Sequence, residues 1–431
     1  MVRQILPNHK FRNYLKNRAP RLTKAEFAIF LGILGPGIIT ASVDNDAGGI
    51  TTYSIAGAHF GYSLLWTLIP ITLALFVVQE MVARMGVVTG KGLADLIRET
   101  FGVKPTVILL LGLIIANLCT TTAEFAGIAA SMEIFGVSKY ISVPVAATMV
   151  WLAIVKGNFR SIEKIFLISS SVYITYIISG LFLHPDWKFL LTQTVTPSVN
   201  LEPSYLYMVI GVVGTTITPW MQFYLQSTVV EKGVQISEYR YTKWDVYIGC
   251  LITDVVSYFI IFTCAATIFV QGIRIETAKD AAQALFPLAG SYSAWLFAFG
   301  LLNASLFAAS ILPLSTSYFL CEGMGWDSGL DKRFRDAPQF YSLYTLLIAL
   351  GAIIILFPDA PLLTIMVLSQ VINGSLLPLV LIFMLLLINN KKIMGKYTNS
   401  KAFNIVAWTT TIIMSILTVL LVITSLVQGI G

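Results

Sequence analysis

The sequence predicts an all-α protein that crosses a membrane many times. Hydrophobic residues make up 56% of the 431 positions and charged residues only 12%, whereas soluble domains carry about 25% charged residues. The apolar residues form blocks long enough for a bilayer, which takes about 20 residues per helix. We expect eleven spans, near 26–56, 62–86, 105–134, 140–156, 164–183, 204–230, 243–272, 285–321, 338–357, 360–390 and 402–428.

The distribution of lysine and arginine predicts the orientation of these spans. Of the 28 basic residues, 23 lie in the N-terminal segment or in loops after even-numbered spans, and four lie in loops after odd-numbered spans. Positive loops stay in the cytoplasm, so we expect a cytoplasmic N-terminus and, with eleven spans, an exterior C-terminus. The net charge of +6 then reflects topology, and it does not indicate a nucleic-acid partner.

The first span contains an interruption. Residues 35–37 read Gly-Pro-Gly and residues 44–49 read Asp-Asn-Asp-Ala-Gly-Gly, with apolar sequence on both sides. Carboxylates at membrane depth are costly and usually mark an ion or substrate path. Glycines there favour a helix that breaks and offers its backbone to a ligand. This pattern is typical of a transporter, although the aspartates would also serve to cap an unwound helix.

A second interruption is predicted in the sixth span. Pro219 follows Gly211, Gly214 and a run of threonines, and a proline inside a helix removes one backbone hydrogen bond. Alone, it would indicate a simple kink. Two broken spans five apart, however, are expected of an inverted repeat whose site lies where the breaks meet. We therefore divide the chain into a cytoplasmic segment 1–24, a first repeat 25–183, an outer loop 184–203, a second repeat 204–390 and a final loop and helix 391–431.

Polar residues near the two breaks offer oxygen ligands. Carboxylate, amide, hydroxyl and carbonyl oxygens suit hard divalent ions such as Mg²⁺, Ca²⁺ or Mn²⁺. An isolated buried amide can instead form an interhelical hydrogen bond. The predicted metal-site residues are Asp46, Asp44, Asn45, Gly49, Thr215, Thr218, Gln222, Gln370 and Asn373.

Two further acids lie within predicted spans. Glu124 and Asp254 are candidates for a proton relay or a secondary ion site, and each could also pair structurally with a neighbouring helix. The three histidines fall outside the middle of every span, which argues against a histidine relay. No nucleotide-binding motif and no nucleophile–base constellation is present, so we expect neither an enzyme nor a cofactor, and we expect a monomer.

Several motifs in this chain resemble the Nramp family of divalent-metal transporters, and they follow that family's order. The resemblance covers the first-helix segment 35–62, the end of the second helix and first cytoplasmic loop at 79–94, and Ala-Glu-Phe at 123–125. It continues through 301–323 and through Ser-Gln-Val at 369–371 with Leu-Pro at 377–378. The resemblance implies a leucine-transporter-type fold, in agreement with the two broken helices.

The sequence departs from the family pattern at the expected ligands. Asp46 keeps the first-helix aspartate, but Ala47 replaces a proline and Gly49 replaces an asparagine ligand. If the prolines of helix 6 align, Thr218 stands where the family has its methionine ligand and Trp220 where it has histidine. In a register shifted by one residue, Met221 takes the histidine's place and Pro219 the methionine's.

Further departures concern residues that the resemblance implies to be proton carriers in the family. Gln226 replaces a downstream histidine, and Thr121 replaces an aspartate three residues before Glu124. A wider site with oxygen ligands suits Mg²⁺, which keeps part of its water shell. The pattern is similar to the Nramp-related magnesium transporters, a bacterial branch that carries Mg²⁺ and Mn²⁺ without proton coupling. The alternatives are a proton-coupled Mn²⁺/Fe²⁺ transporter with Glu124 as relay and an organic-solute transporter of the same fold.

Overall fold

The computed structural model describes residues 35–156, 168, 170–330 and 332–428, and within these residues every regular element is helical. The α-helices are α1 Pro36–Asp44, α2 Ala47–Phe60, α3 Leu68–Thr89, α4 Leu93–Phe101, α5 Val103–Ile134, α6 Lys139–Val155, α7 Ile174–Phe182, α8 Trp187–Val195, α9 Pro203–Thr216, α10 Pro219–Glu231, α11 Tyr239–Cys264, α12 Ala278–Ala281, α13 Phe286–Ala289, α14 Ser293–Met324, α15 Pro338–Leu356, α16 Leu362–Ile388, α17 Lys391–Met394 and α18 Lys401–Gln428.

Eight helical stretches in the described part of the chain are long and apolar enough to cross a membrane. They are Ala47–Thr89, Val103–Ile134, Pro203–Glu231, Tyr239–Phe269, Ala278–Met324, Pro338–Leu356, Leu362–Ile388 and Lys401–Ile423. Two shorter apolar helices, Lys139–Val155 and Ser171–Phe182, fall where the fourth and fifth spans were expected. The count of eleven stays a prediction. The N-terminal segment 1–24 and residues 157–167 lie outside the described residues.

Both predicted interruptions are present. Helix α1 ends at Asp44, and α2 starts three residues later, with Asp46 in extended conformation as its N-cap. Helix α9 ends at Thr216, and α10 starts at Pro219 with Thr218 in extended conformation before it. Because proline has no N–H to donate, it fits the first position of a helix, which explains why the second break falls there.

Small residues bring the helices around the first break close together. A Cβ on Gly127 of α5 would lie 2.4 Å from the Ala47 Cβ and 2.4 Å from the Ser305 Oγ. A Cβ on Gly214 of α9 would lie 2.0 Å from the Gln370 carbonyl oxygen of α16. Helices in membranes pack closely where such residues meet. The start of α2 is therefore enclosed by α5, α9, α14 and α16.

Helix α1 is held along one face of α11. Asp245 Oδ2 accepts the Gly37 N–H at 2.7 Å and its Oδ1 accepts the Gly35 N–H at 3.2 Å. A Cβ on Gly249 would lie 2.8 Å from the Gly37 carbonyl oxygen. The Thr253 hydroxyl donates to the Ala41 carbonyl, and Ser257 Oγ donates to Asn45 Oδ1 at 3.3 Å. These α11 residues recur every four positions, so they share one helix face and fix the register of α1.

Gly127→Ala should destabilise the protein, because the new Cβ would overlap atoms of both α2 and α14. Overpacking of this kind costs about 1–3 kcal/mol. Gly112→Ala on the same helix is the matched control, since its Cβ would meet only the end of the Leu376 side chain, at 3.1 Å. Thermal unfolding in detergent should show a lower midpoint for Gly127→Ala alone. Equal midpoints for the two variants would contradict the close packing of α5 on α2.

Candidate functional site

Asp46 lies at the opening of helix α2. Its Oδ1 accepts the Gly49 N–H at 2.6 Å, and the Gln370 amide nitrogen donates to the same oxygen at 3.4 Å. Only 2% of the residue is exposed. The free N–H groups at a helix N-terminus favour negative charge. The break therefore holds a carboxylate at a depth where water cannot stabilise it.

Glu124 approaches the same helix end from α5. Its Oε2 accepts the Ala47 N–H at 3.2 Å, while its Oε1 is buried without a hydrogen-bond partner. The salt bridges among the described residues involve Glu80, Glu99 and Asp327, so no lysine or arginine described here forms a salt bridge with Asp46 or Glu124. Two acids thus share one helix N-terminus without a basic partner among the described residues.

An amide chain connects α16 to Asp46. The Asn373 amide nitrogen donates to Gln370 Oε1 at 3.1 Å and to Thr120 Oγ1 at 3.0 Å. A Cβ on Gly48 would lie 2.0 Å from the Gln370 amide nitrogen. Glycine at position 48 therefore makes room for the Gln370 side chain beside Asp46.

The second break contributes hydroxyl groups. Thr215 Oγ1 and Thr218 Oγ1 are buried and have no hydrogen-bond partner. Thr215 Oγ1 lies 2.9 Å from where a Cβ on Gly49 would stand, so α9 reaches the start of α2. In the orientation that satisfies its amide, Gln222 donates to the carbonyl oxygens of Thr218 and Pro219 at 2.6 and 2.7 Å. Of these groups, the Thr215 hydroxyl lies beside the start of α2, and Thr218 and Gln222 lie at the second break.

Asp44 and Asn45 face a different helix from Asp46. Asn45 Oδ1 accepts the Ser257 hydroxyl of α11. Both carboxylate oxygens of Asp44 are buried without a hydrogen-bond partner, and Asp44 lies near enough to Asp254 for their charges to interact. The structure thus brings Asp46, Glu124, Gly49, Gln370, Asn373 and Thr215 together and directs Asp44 and Asn45 toward α11. Their role as metal ligands stays a prediction.

Two methionine sulfur atoms lie near the breaks. That of Met221 points away from Asp46, and that of Met366 lies one helical turn from Gln370. Met221 Sδ accepts the Gln79 amide at 3.6 Å, so it faces α3. Met366 Sδ accepts the Thr51 hydroxyl at 3.4 Å. Met366 was not among the sequence candidates, although its spacing of four from Gln370 places both on one face of α16. Within the described residues, no group of three or more His, Cys, Asp or Glu side chains could hold a metal ion.

Side-chain hydrogen bonds close one end of the molecule. The distribution of basic residues predicts that this end is cytoplasmic. Gln226 Nε2 donates to the Lys91 carbonyl at 2.8 Å, and Ser227 Oγ donates to Glu322 Oε1 at 2.5 Å. Tyr318 Oη donates to Glu231 Oε2 at 2.6 Å. Sequence reasoning missed Asp245 and Glu322, because acids at the ends of spans resemble ordinary surface residues.

At the opposite end, a cavity of about 450 Å³ lies between α2, α9 and α16. Its lining includes Ile55, Met208, Glu276 and Val367. Asp46, Thr215 and Gln370 do not belong to this lining and are buried.

Comparison with known proteins identifies the relatives of this chain. The family model described as natural resistance-associated macrophage protein-like (Nramp) matches residues 37–424. The divalent metal cation transporter MntH of Bacillus subtilis (strain 168) is 27% identical over 408 residues, which cover 92% of this chain and 93% of that protein. The protein of the same name from Yersinia pestis (strain Pestoides F) is 27% identical over 386 residues, covering 88% and 91%.

Solved structures share the fold. A manganese transporter of Eremococcus coleocola, in complex with an aromatic bis-isothiourea substituted compound, has a TM-score of 0.77 at 20% identity and covers 94% of this chain and 88% of its own. Mhp1, a nucleobase-cation-symport-1 family transporter in a closed conformation with bromovinylhydantoin bound, has a TM-score of 0.56 at 14% identity, covering 92% and 91%. The predicted leucine-transporter-type fold is thereby confirmed.

Gly48→Ala should destabilise the start of α2, because its Cβ would overlap the Gln370 amide. We expect a loss of about 1–3 kcal/mol, typical of overpacking, measured as a lower unfolding midpoint in detergent. Adding Gln370→Ala should remove the overlap and restore most of the midpoint. If the double variant is as unstable as Gly48→Ala alone, the Gly48–Gln370 contact is not the cause.

Proposed function

This chain belongs to the Nramp family, and we propose that it transports divalent metal ions into a bacterial cell across the inner membrane. The proposed substrate is Mg²⁺, with Mn²⁺ as a second substrate, and the proposed mechanism is alternating access without proton coupling. The observation that carries the proposal is the pair of acids, Asp46 and Glu124, at the buried N-terminus of α2.

The charge at this site supports a cation substrate. Buried carboxylates without a positive partner are unfavourable in a membrane, and a divalent ion would compensate both acids at once. An organic substrate, carried by a transporter of the same fold, would need groups complementary to two acids. The names of the MntH relatives also support a divalent metal. If the protein carried organic solutes instead, it should bind no divalent ion. That result would contradict the proposal of a metal substrate.

The chemistry of the ligands supports Mg²⁺. The predicted ligands at the two breaks are the Asp46 carboxylate, the amides of Gln370 and Asn373 and the hydroxyls of Thr215 and Thr218, all of which offer hard oxygen atoms. The sulfur of Met221 faces Gln79 instead. Mg²⁺ prefers oxygen ligands and retains several waters, so a site of small and polar residues suits a partly hydrated ion.

Transport would follow if the inner and outer ends of the protein opened in alternation. The ion would enter from the outer cavity, bind at Asp46 and leave when the contacts of Gln226, Ser227 and Tyr318 separate. Two charges that cross a potential of about 100 mV gain about 4.6 kcal/mol. The membrane potential and the metal gradient would therefore drive uptake without a proton.

Proton-coupled Mn²⁺ transport is the second candidate, and two observations favour it. Glu124 Oε1 is buried and unpartnered, as a proton carrier would be. Met366 Sδ lies one helical turn from Gln370 and could join the path of a softer ion. This candidate predicts acidification of the liposome interior during Mn²⁺ uptake and exclusion of Mg²⁺.

Asp46→Ala should abolish saturable Mg²⁺ and Mn²⁺ influx, because the site then loses its central carboxylate. Influx into proteoliposomes, read by a trapped metal dye, should fall to the level of protein-free liposomes. Asp359→Asn, in an exposed loop where φ is +54°, is the control, because asparagine tolerates this conformation as well as aspartate does. If the Asp46→Ala variant takes up metal at the wild-type rate, the binding site lies elsewhere.

A further inference from the structure

Asp44 and Asp254 form a second pair of buried acids, separate from Asp46 and Glu124. Asp44 is 2% exposed and Asp254 is 5% exposed. All four carboxylate oxygens are buried without a hydrogen-bond partner. Among the described residues, neither acid has a salt bridge to lysine, arginine or histidine.

The register of α1 on α11 explains why these acids face each other. Thr253 bonds to the Ala41 carbonyl, and Ser257 bonds to Asn45. Asp44, the last residue of α1, lies between Ala41 and Asn45 in the chain, and Asp254 lies between Thr253 and Ser257 on α11. The two carboxylates are close enough for their charges to repel. Because Asp245, Thr253 and Ser257 each bond to α1 or Asn45, helix α1 cannot turn to relieve this repulsion.

Charge balance indicates what the pair accommodates. A buried carboxylate without compensation costs several kcal/mol, and here the charges of two such groups interact with no salt bridge to a basic residue among the described residues. A monovalent ion would leave one negative charge, whereas a divalent cation would balance both. The available atoms are hard oxygens, including the nearby Ser257 hydroxyl and Asn45 amide, and these suit Mg²⁺ or Mn²⁺.

We propose that Asp44 and Asp254 form a second divalent-cation site, between α1 and α11, which receives the ion after it leaves Asp46. This inference rests on the proposed transport function. Asp44 ends α1 and Asp46 begins the next helix, so the second site lies on the predicted cytoplasmic side of the first. Asp46 binds the ion from the outer cavity, and the α1–α11 pair carries it toward the inner end.

The number of Mn²⁺ ions bound per chain tests this second site. The full chain in detergent is titrated with Mn²⁺, and free Mn²⁺ is measured by its electron paramagnetic resonance signal. Wild type and the Asp359→Asn control should bind two ions. Asp254→Asn and Asp46→Ala should each bind one, and the combined variant should bind none.

The contrary results separate this inference from the proposed function. One ion in wild type, lost in Asp46→Ala and kept in Asp254→Asn, would overturn the second site and leave the transport proposal intact. No bound Mn²⁺ in wild type would overturn both. A count of two that persists in Asp254→Asn would also overturn the assignment to the α1–α11 pair.

Asp44→Asn provides an independent test if Asp254→Asn fails to give a monodisperse protein. It removes the same charge from the opposite helix and should also reduce the count from two to one. Asp254→Glu keeps the carboxylate and should keep two ions. If Asp254→Glu lowers the number of bound ions as much as Asp44→Asn does, packing rather than charge accounts for the effect. That result would overturn the proposal.

Discussion

The backbone N–H groups that open helix α2 donate to two carboxylates, Asp46 at the start of that helix and Glu124 from α5, and the surrounding helices pack around this point. Asp46 caps the helix from within its own chain segment, and Glu124 reaches it from α5. A helix N-terminus stabilises negative charge, but it supplies only a partial positive charge for two acids. The site can therefore form inside a membrane protein and still attract a cation.

Glycine and alanine allow the other helices to reach that point. Gly127 lets α5 approach Ala47, Gly48 leaves space for Gln370, and Gly214 brings α9 against α16. At each position a larger side chain would overlap atoms of a neighbouring helix: α2 and α14 at Gly127, and α16 at Gly48 and Gly214. The polar groups that surround Asp46 thus depend on small residues that offer no ligand themselves.

Sequence reasoning anticipated the broken helices, because glycine, proline and buried acids are strong local signals. It could not determine which way Asp44 and Asp46 face. That depends on the backbone at Asn45 and on the extended conformation of Asp46, which tertiary packing decides. Asp245 was missed for a similar reason, although the four-residue spacing of Asp245, Gly249, Thr253 and Ser257 on α11 could have revealed a helix contact. Met366 could have been found from its spacing to Gln370.

Parallel recording of Mg²⁺ and pH inside proteoliposomes tests whether Mg²⁺ crosses the membrane without a proton. A magnesium dye and a pH dye are trapped in the same preparation, and Mg²⁺ is added outside with an inside-negative potential. We expect saturable Mg²⁺ entry with no acidification. Silence with Mg²⁺, together with acidification when Mn²⁺ is added, would contradict it and favour proton-coupled manganese transport.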